Sequence, residues 1–399
     1  MCDLQKVAND ILKDVLQLTV ANDIGNSETK MILNDLLIKQ PSVVKRLLQK
    51  PNVHETNVDK NVANLLDELV VNVTSKGIKR NGLYLIGKRA NITADQVENM
   101  NIKLGNKHKH DIPVLLTLSM IAAHSIQLAY NESKSLPSSL SVNLFMTSAI
   151  PASEYAPDKA KHLENRFLNG EHIVIVHVGE ELVTVTLKFE KVKVTQEGVP
   201  ALYALLESDS NILDNYNKQY KKNLTPKDFR NKKALHADIG DGTTEYIYTN
   251  GLNPVNDACT GEKRGVGHAT QEAIHLLKEE VGGHLDINRQ QFMAILRDSS
   301  HNLNEYAVRF MEEARYSQAQ RILEDIQEKY QSKTAGNVDI IVVYGGGSIQ
   351  FKDDLYEELV DFADEIHCEV LWIPEAYAVD MNVNGMNVLN TRVLFKKKG

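Results

Sequence analysis

A near-repeat about half the chain apart constrains the fold more than any other feature. Residues 23–30 read Asp-Ile-Gly-Asn-Ser-Glu-Thr-Lys and residues 238–245 read Asp-Ile-Gly-Asp-Gly-Thr-Thr-Glu. Both copies carry Asp-Ile-Gly, an Asn or Asp, a small residue, and Thr at the seventh position. Apolar, strand-like runs flank each copy: residues 16–21 and 31–38 around the first, 234–237 and 246–248 around the second. Each copy therefore reads as a strand–turn–strand hairpin with glycine supplying the turn. Two such hairpins in one chain predict a duplicated α/β architecture.

With 399 residues the chain exceeds what one compact core usually holds, so two domains are expected. Later segments correspond as well. A β-rich run at 142–146 leads into Thr147-Ser148, and another at 339–344 leads into Gly345-Gly346-Gly347-Ser348. Helical periodicity is strong over 306–330. Residues 172–195 read as a three-stranded meander (173–178, 182–189 and 192–195), followed by a helix at 200–207 that marks a hinge. Residues 4–18 place Leu4, Val7, Ala8, Ile11, Leu12, Val15 and Leu16 at helical spacing after Asp3, a candidate N-cap. The expected division is an amphipathic helical extension over 1–19, a first domain over 20–200 plus 374–399, and a second over 201–373.

Composition narrows the function. The formal net charge is −8, which argues against a direct nucleic-acid face. The apolar stretch 112–128 is interrupted by Thr117, Ser119, His124, Ser125 and Gln127 and reads as a core helix, not a membrane span. The polar side of the helix at 4–18 holds Asp3, Asp10 and Asp14 with Lys6 and Lys13, too acidic for a membrane-surface helix. Docking on the body or on a neighbouring copy is expected instead. Cys2, Cys259 and Cys368 are too few for a disulfide framework or a zinc site, and the N-terminus lacks a signal-peptide pattern; the cytoplasm is the expected compartment.

Phosphates need backbone N–H donors at close range, and glycine lets the chain approach. Gly25, Asn26 and Ser27 form one candidate cradle; Gly240, Asp241, Gly242 and Thr243 form the other. Lys30 would add positive charge. Asp23 and Asp238 would repel a triphosphate unless Mg²⁺ lay between, so both are candidate metal ligands. The Gly345-Gly346-Gly347-Ser348 junction, which is not a Walker A loop, suits the floor beneath a nucleoside, with a helix expected from about residue 353. Glu262 and Lys263 open a segment expected to be helical to residue 280; they could reach ribose or base, or be a solvated helix start. His108-Lys109-His110-Asp111 reads as a solvated loop. Ser148 and Ser153 have no His–Asp framework around them.

These motifs, in this order, resemble the superfamily of actin, heat-shock chaperones and sugar kinases. The finer resemblance is to plasmid-segregation actins of the ParM type. It is carried by Gln40-Pro41-Ser42-Val43, Leu83-Tyr84-Leu85-Ile86-Gly87, Ala149-Ile150-Pro151 with Ser153-Glu154-Tyr155, residues 194–201 and Asn384-Gly385-Met386. It implies a duplicated actin-like (ribonuclease H-like) fold, with two domains flanking a nucleotide cleft. It implies ATP, with GTP open, together with Mg²⁺. By resemblance Glu197 orients the attacking water, with Asp238 and Asp23 beside the phosphates. The resemblance also implies self-assembly into filaments and a DNA-binding partition adaptor, without direct nucleic-acid or membrane contact. A small-molecule kinase of sugar type, or another bacterial cytoskeletal actin, is the alternative. A chaperone would need a peptide-binding domain after the last helix. The extension at 4–18 departs from the family pattern.

Overall fold

The computed structural model describes residues 15–52, 55–93, 97–100 and 106–395. The chain forms two compact units, one comprising residues 1–150, 154–196 and 383–399, the other residues 151–153 and 197–382.

The first unit contains β1 (Val15–Ile24), β2 (Glu28–Leu33), β3 (Leu36–Pro41), β4 (Val43–Leu47), β5 (Val70–Thr74), β6 (Gly82–Ile86), β7 (Glu98–Asn99), β8 (Ser139–Ile150), β9 (Glu171–Val178) and β10 (Glu181–Gln196). Among the described residues they form one sheet in the order β3-β2-β1-β8-β10-β9-β5-β6-β4-β7. β8 runs parallel to both β1 and β10. The helices Asp111–Ser133 and Pro157–Leu168 pack on one face, where Leu18, Val20, Leu116, Leu144, Leu163 and Val185 are fully buried. The apolar stretch at 112–128 thus lies in a helix buried against the sheet.

The second unit contains β11 (Lys233–Ile239), β12 (Thr244–Asn250), β13 (Asn253–Pro254), β14 (Thr260–Glu262), β15 (Ile340–Tyr344) and β16 (Glu369–Trp372). Their order is β13-β12-β11-β15-β16, with β14 on β12. β15 explains its own sequence. Ile341 and Val343 face a core shared with Ile326 and Leu359, while Ile340, Val342 and Tyr344 face one shared with Leu205 and Tyr216. A strand covered on both faces is apolar throughout rather than alternating.

The duplication is visible in the pairing. β1 pairs antiparallel with β2 and parallel with β8; β11 pairs antiparallel with β12 and parallel with β15. Each unit thus has a hairpin whose first strand lies beside a parallel strand returning from a helix.

Several expectations need correction. Val15 to Leu18 are strand, not the end of a helix, because residues 15–22 pair one for one with 141–148 of β8. The rest of the expected helical extension lies outside the described residues. Residues 31–38 are two strands, broken where Asn34 and Asp35 take left-handed backbone, with φ of 43° and 75°. The expected meander is one hairpin. β10 continues through a bulge between Phe189 and Lys191, which restores inward alternation so that Phe189 and Val192 are both buried. Residues 374–382 group with the second unit rather than the first, since Ala378 and Met381 share a core with Leu371 and Ile373 and with Ala201 and Leu205 of the helix Val199–Glu207, where the second domain was expected to begin. The segment at 107–111 is not a solvated loop. Lys107 and His108 are buried, and Arg166 donates to the carbonyls of Gly77 and His108 and to Asp111.

Candidate phosphate-binding hairpins

In the first unit the turn of Gly25, Asn26 and Ser27 joins β1 to β2. A Cβ on Gly25 would lie 2.4 Å from the Glu28 carbonyl oxygen, so the turn closes only around glycine. Ser42 holds it from behind: its Oγ donates to the Gly25 carbonyl at 2.6 Å and its N–H to the Ser27 carbonyl at 2.8 Å. Thr29 Oγ1 lies 2.9 Å from the same hydroxyl. Asp23 and Lys30 are cross-strand partners. The Lys30 Nζ lies 3.9 Å from the Asp23 carboxylate, with both side chains mostly buried, so the two charges the sequence singled out separately balance each other.

In the second unit the turn of Gly240, Asp241, Gly242 and Thr243 joins β11 to β12, closed by Gly240 N–H donating to the Thr243 carbonyl at 2.9 Å. Two other elements pack on it. The helix Val266–Glu280 begins at the turn: Gly267 N–H donates to the Asp241 carbonyl at 2.8 Å, and His268 Nε2 lies 2.9 Å from the Gly242 carbonyl. Arg289 pairs with Asp241 through both terminal nitrogens. The glycine-rich junction comes from the other side. Gly345 has φ of +90°, and its missing Cβ would lie 2.4 Å from the Ile239 carbonyl and 2.5 Å from Asp238 Oδ1. A Cβ on Gly347 would lie 2.8 Å from the Gly240 carbonyl, whereas one on Gly346 would meet nothing within 4 Å. Ser348 is fully buried and donates to the Gly345 carbonyl. A short helix, Gly346–Gln350, starts inside the junction, and the helix expected from about residue 353 follows at Lys352–Glu365.

Carboxylates gather beside this turn. Asn382 donates to Asp238 Oδ2 at 2.6 Å and accepts the Gly198 N–H at 3.0 Å, tying Asp238 to the backbone next to Glu197. Glu245, opposite Asp238 in the hairpin, is fully buried, and one of its carboxylate oxygens has no hydrogen-bond partner. Burial, then the charge of Glu197, push its carboxyl up to about 8, with a smaller contribution from Asp238. Glu197, Asp238 and Glu245 thus share one region, which fits a ligand complex that brings positive charge. Among the described residues no group of three or more His, Cys, Asp or Glu is arranged to hold a metal by itself.

Glu262 and Lys263 lie elsewhere in local role. Glu262 ends the edge strand β14 and pairs at 3.0 Å with Lys329 of the helix Asn304–Thr334, while Lys263 is exposed. The helix expected from residue 262 begins at Val266, because Thr260–Glu262 pairs with β12. Glu245, Arg289 and Asn382 escaped sequence reasoning. For Glu245 a signal existed, since it closes the second copy of the repeat.

Comparison with known proteins follows from this geometry. Residues 21–199 match the family model described as the N-terminal domain of actin-like proteins, and residues 236–357 match that of the archaeal actin homologue MreB-like, C-terminal. The chain is an actin-like protein. Among solved structures, the actin-like protein Alp7A superposes with a TM-score of 0.68 at 16% identity, covering 94% of this chain and 96% of Alp7A. A 15-stranded ParM filament from Clostridium botulinum gives 0.64 at 15% identity, covering 93% and 98%. Bacillus thuringiensis ParM with ATP gives 0.58 at 13%, covering 94% and 98%. At these identities the likeness establishes the actin-like fold. No curated protein sequence matches the chain.

Proposed function

We propose that this actin-like protein is a nucleotide-dependent, filament-forming ATPase of the ParM kind, acting in the cytoplasm. One observation carries the reading: in the second unit the turn 240–243, the junction 345–348 and the carboxylates Asp238 and Glu197 converge. Phosphoryl transfer needs positioning and charge balance more than covalent chemistry from the protein. Gly240, Gly242 and Thr243 would offer backbone donors to phosphates, with Gly25, Asn26 and Ser27 as the matching set of the other unit. Within the second unit Asp238 would hold Mg²⁺ through its waters, with Asp23 the corresponding carboxylate of the first unit, and the ion, when bound, would supply the positive charge that clustered carboxylates and phosphates both need. Glu197 would hold a water in line for attack. Gly346, open on its Cβ side, leaves room for the nucleoside.

Two structural neighbours support the assembly and nucleotide parts of this reading: one is a filament and one carries ATP. The net charge of −8 favours an adaptor protein as the DNA-contacting partner in plasmid segregation. Light scattering with ATP, GTP, ADP or no nucleotide, followed by electron microscopy, tests the reading. Scattering that rises with a triphosphate and decays as phosphate is released supports it. A protein that stays monomeric and turns over ATP only with an added sugar would be a kinase instead.

A further inference from the structure

The start of the helix Val266–Glu280 lies against the turn 240–243, and its donors are engaged by that turn. Val266 N–H donates to the Gly240 carbonyl at 3.4 Å, Gly267 N–H to the Asp241 carbonyl at 2.8 Å, and His268 Nε2 lies 2.9 Å from the Gly242 carbonyl. A carbonyl can only accept, so His268 carries its proton on Nε2. Burial, the largest influence on the imidazole, holds it below its usual value, so near pH 7 the ring is a neutral donor. Glycine permits the close approach. A Cβ on Gly265 would lie 2.5 Å from the Asp241 carbonyl oxygen and 2.6 Å from that of Gly240, and one on Gly267 would lie 2.9 Å from that of Asp241. The first N–H groups of a helix have no partner within it. Here two of them, together with one side chain, draw three successive carbonyls of the turn to one side.

In a planar trans peptide the N–H points opposite to the carbonyl of the same unit. Drawing the carbonyls of residues 240, 241 and 242 toward the helix therefore directs the N–H groups of Asp241, Gly242 and Thr243 away from it, as successive donors of the kind that hold anions. Two of the three anchors are backbone groups. The third is a side chain, so its presence depends on which residue stands at position 268. It also acts where an anchor matters most, since Gly242 offers little resistance to turning of its own peptide unit. We propose that His268 is a positioning residue for phosphate at this turn: its Nε2–H holds the Gly242 carbonyl and so aims the Thr243 N–H at a nucleotide phosphate. The inference rests on the nucleotide reading of the turn and adds to it a residue outside both copies of the repeat. It also gives the run Arg264-Gly265-Val266-Gly267-His268 a role, as the support behind the turn.

The experiment uses the full chain with Mg²⁺ and measures affinity by titration with fluorescent ATP, alongside the thermal transition of each variant. H268F keeps a ring and removes the donor; H268A removes the donor without adding bulk. Both should bind ATP about tenfold more weakly, on the order of one hydrogen bond to a charged group. H268Q, whose amide nitrogen reaches about as far as Nε2, should recover most of that affinity. I274A, in the core beneath the same helix, should lower the thermal transition at least as much as H268F while binding ATP like the parent, since it touches no part of the turn. Parent-like binding by H268F and H268A overturns the proposal. So does a loss in H268Q as large as in H268F, or an equal loss in I274A, which would make affinity a matter of helix stability alone. A parent chain that binds no ATP would remove the nucleotide reading itself, and this inference with it.

Discussion

Both terminal nitrogens of Arg289 hold the carboxylate of Asp241, at 2.6 and 3.2 Å. Fork geometry of this kind fixes orientation as well as charge. Here it fixes the turn that, on the proposed reading, would present backbone donors to phosphate. Replacing Arg289 by Met keeps the bulk and removes the fork. The thermal transition should fall modestly, because the arginine is about one-third exposed. Nucleotide affinity should fall about tenfold, equal to about 1.4 kcal/mol, in a titration with fluorescent ATP. Unaltered affinity would show that the turn orders itself without Arg289.

That pair also shows what the sequence conveyed and what it concealed. The two hairpins, the glycine junction and β15 were legible because each is a local pattern: glycine where a Cβ collides, or an apolar run covered on both faces. Arg289 was not, since 48 positions separate it from Asp241 and only the fold brings them together. Leu16 misled because its apolar spacing suits a helix as well as an alternating strand, and pairing with β8 decides the matter. The break expected after Phe189 was a bulge, which keeps one strand continuous while shifting its parity. His108 looked solvated beside its lysines, yet Arg166, far along the chain, folds that segment inward.

The junction glycines separate folding from binding. Gly345 needs a left-handed backbone and would drive a Cβ into Asp238 and the Ile239 carbonyl, so G345A should lower the thermal transition markedly or prevent soluble expression. Gly346 has no atom within 4 Å of its absent Cβ. G346V should therefore melt near the parent temperature while binding nucleotide more weakly, as measured by calorimetric titration. Parent-like binding by G346V would remove the junction from the nucleotide site.

His236 makes the second unit acid-sensitive. It is buried between β12 and β15, with Nε2 3.2 Å from Thr249 Oγ1 and no partner for Nδ1. Burial holds its imidazole down to about 4, against 6.5 in an exposed histidine. Between those values the unfolded chain binds the proton and the folded chain does not, so stability is fully present above pH 6.5 and is lost as pH falls toward 4. The shift corresponds to about 3 kcal/mol at about 1.4 kcal/mol per unit. Trp372, the single tryptophan, lies in the same unit and reports its unfolding. Urea unfolding at pH 7, 6 and 5 should show a steeper decline for the parent than for H236Q. Parallel curves would place the acid sensitivity elsewhere.

Glu245 and Glu197 can be told apart by substitution. The Glu245 carboxyl, raised to about 8 by burial and by Glu197, carries a proton at pH 7, so E245Q preserves both shape and charge there. Stability tied to that proton is complete below the ordinary carboxyl value of 4.5 and is lost as pH rises through about 8. E245Q should accordingly match the parent near pH 4, exceed it already at pH 7, and gain little further advantage above about pH 8. Its phosphate release at pH 7 should stay within a few-fold of the parent, because its neutral form is what the fold already contains. E197A should instead lose about 10²–10⁴-fold in phosphate release, the usual cost of removing a general base or water-orienting group, while still binding ATP. If E245Q lost release as severely as E197A, the buried carboxyl would be a working proton acceptor rather than a neutral neighbour of one. If E197A released phosphate at the parent rate, the water would have to be held by another group.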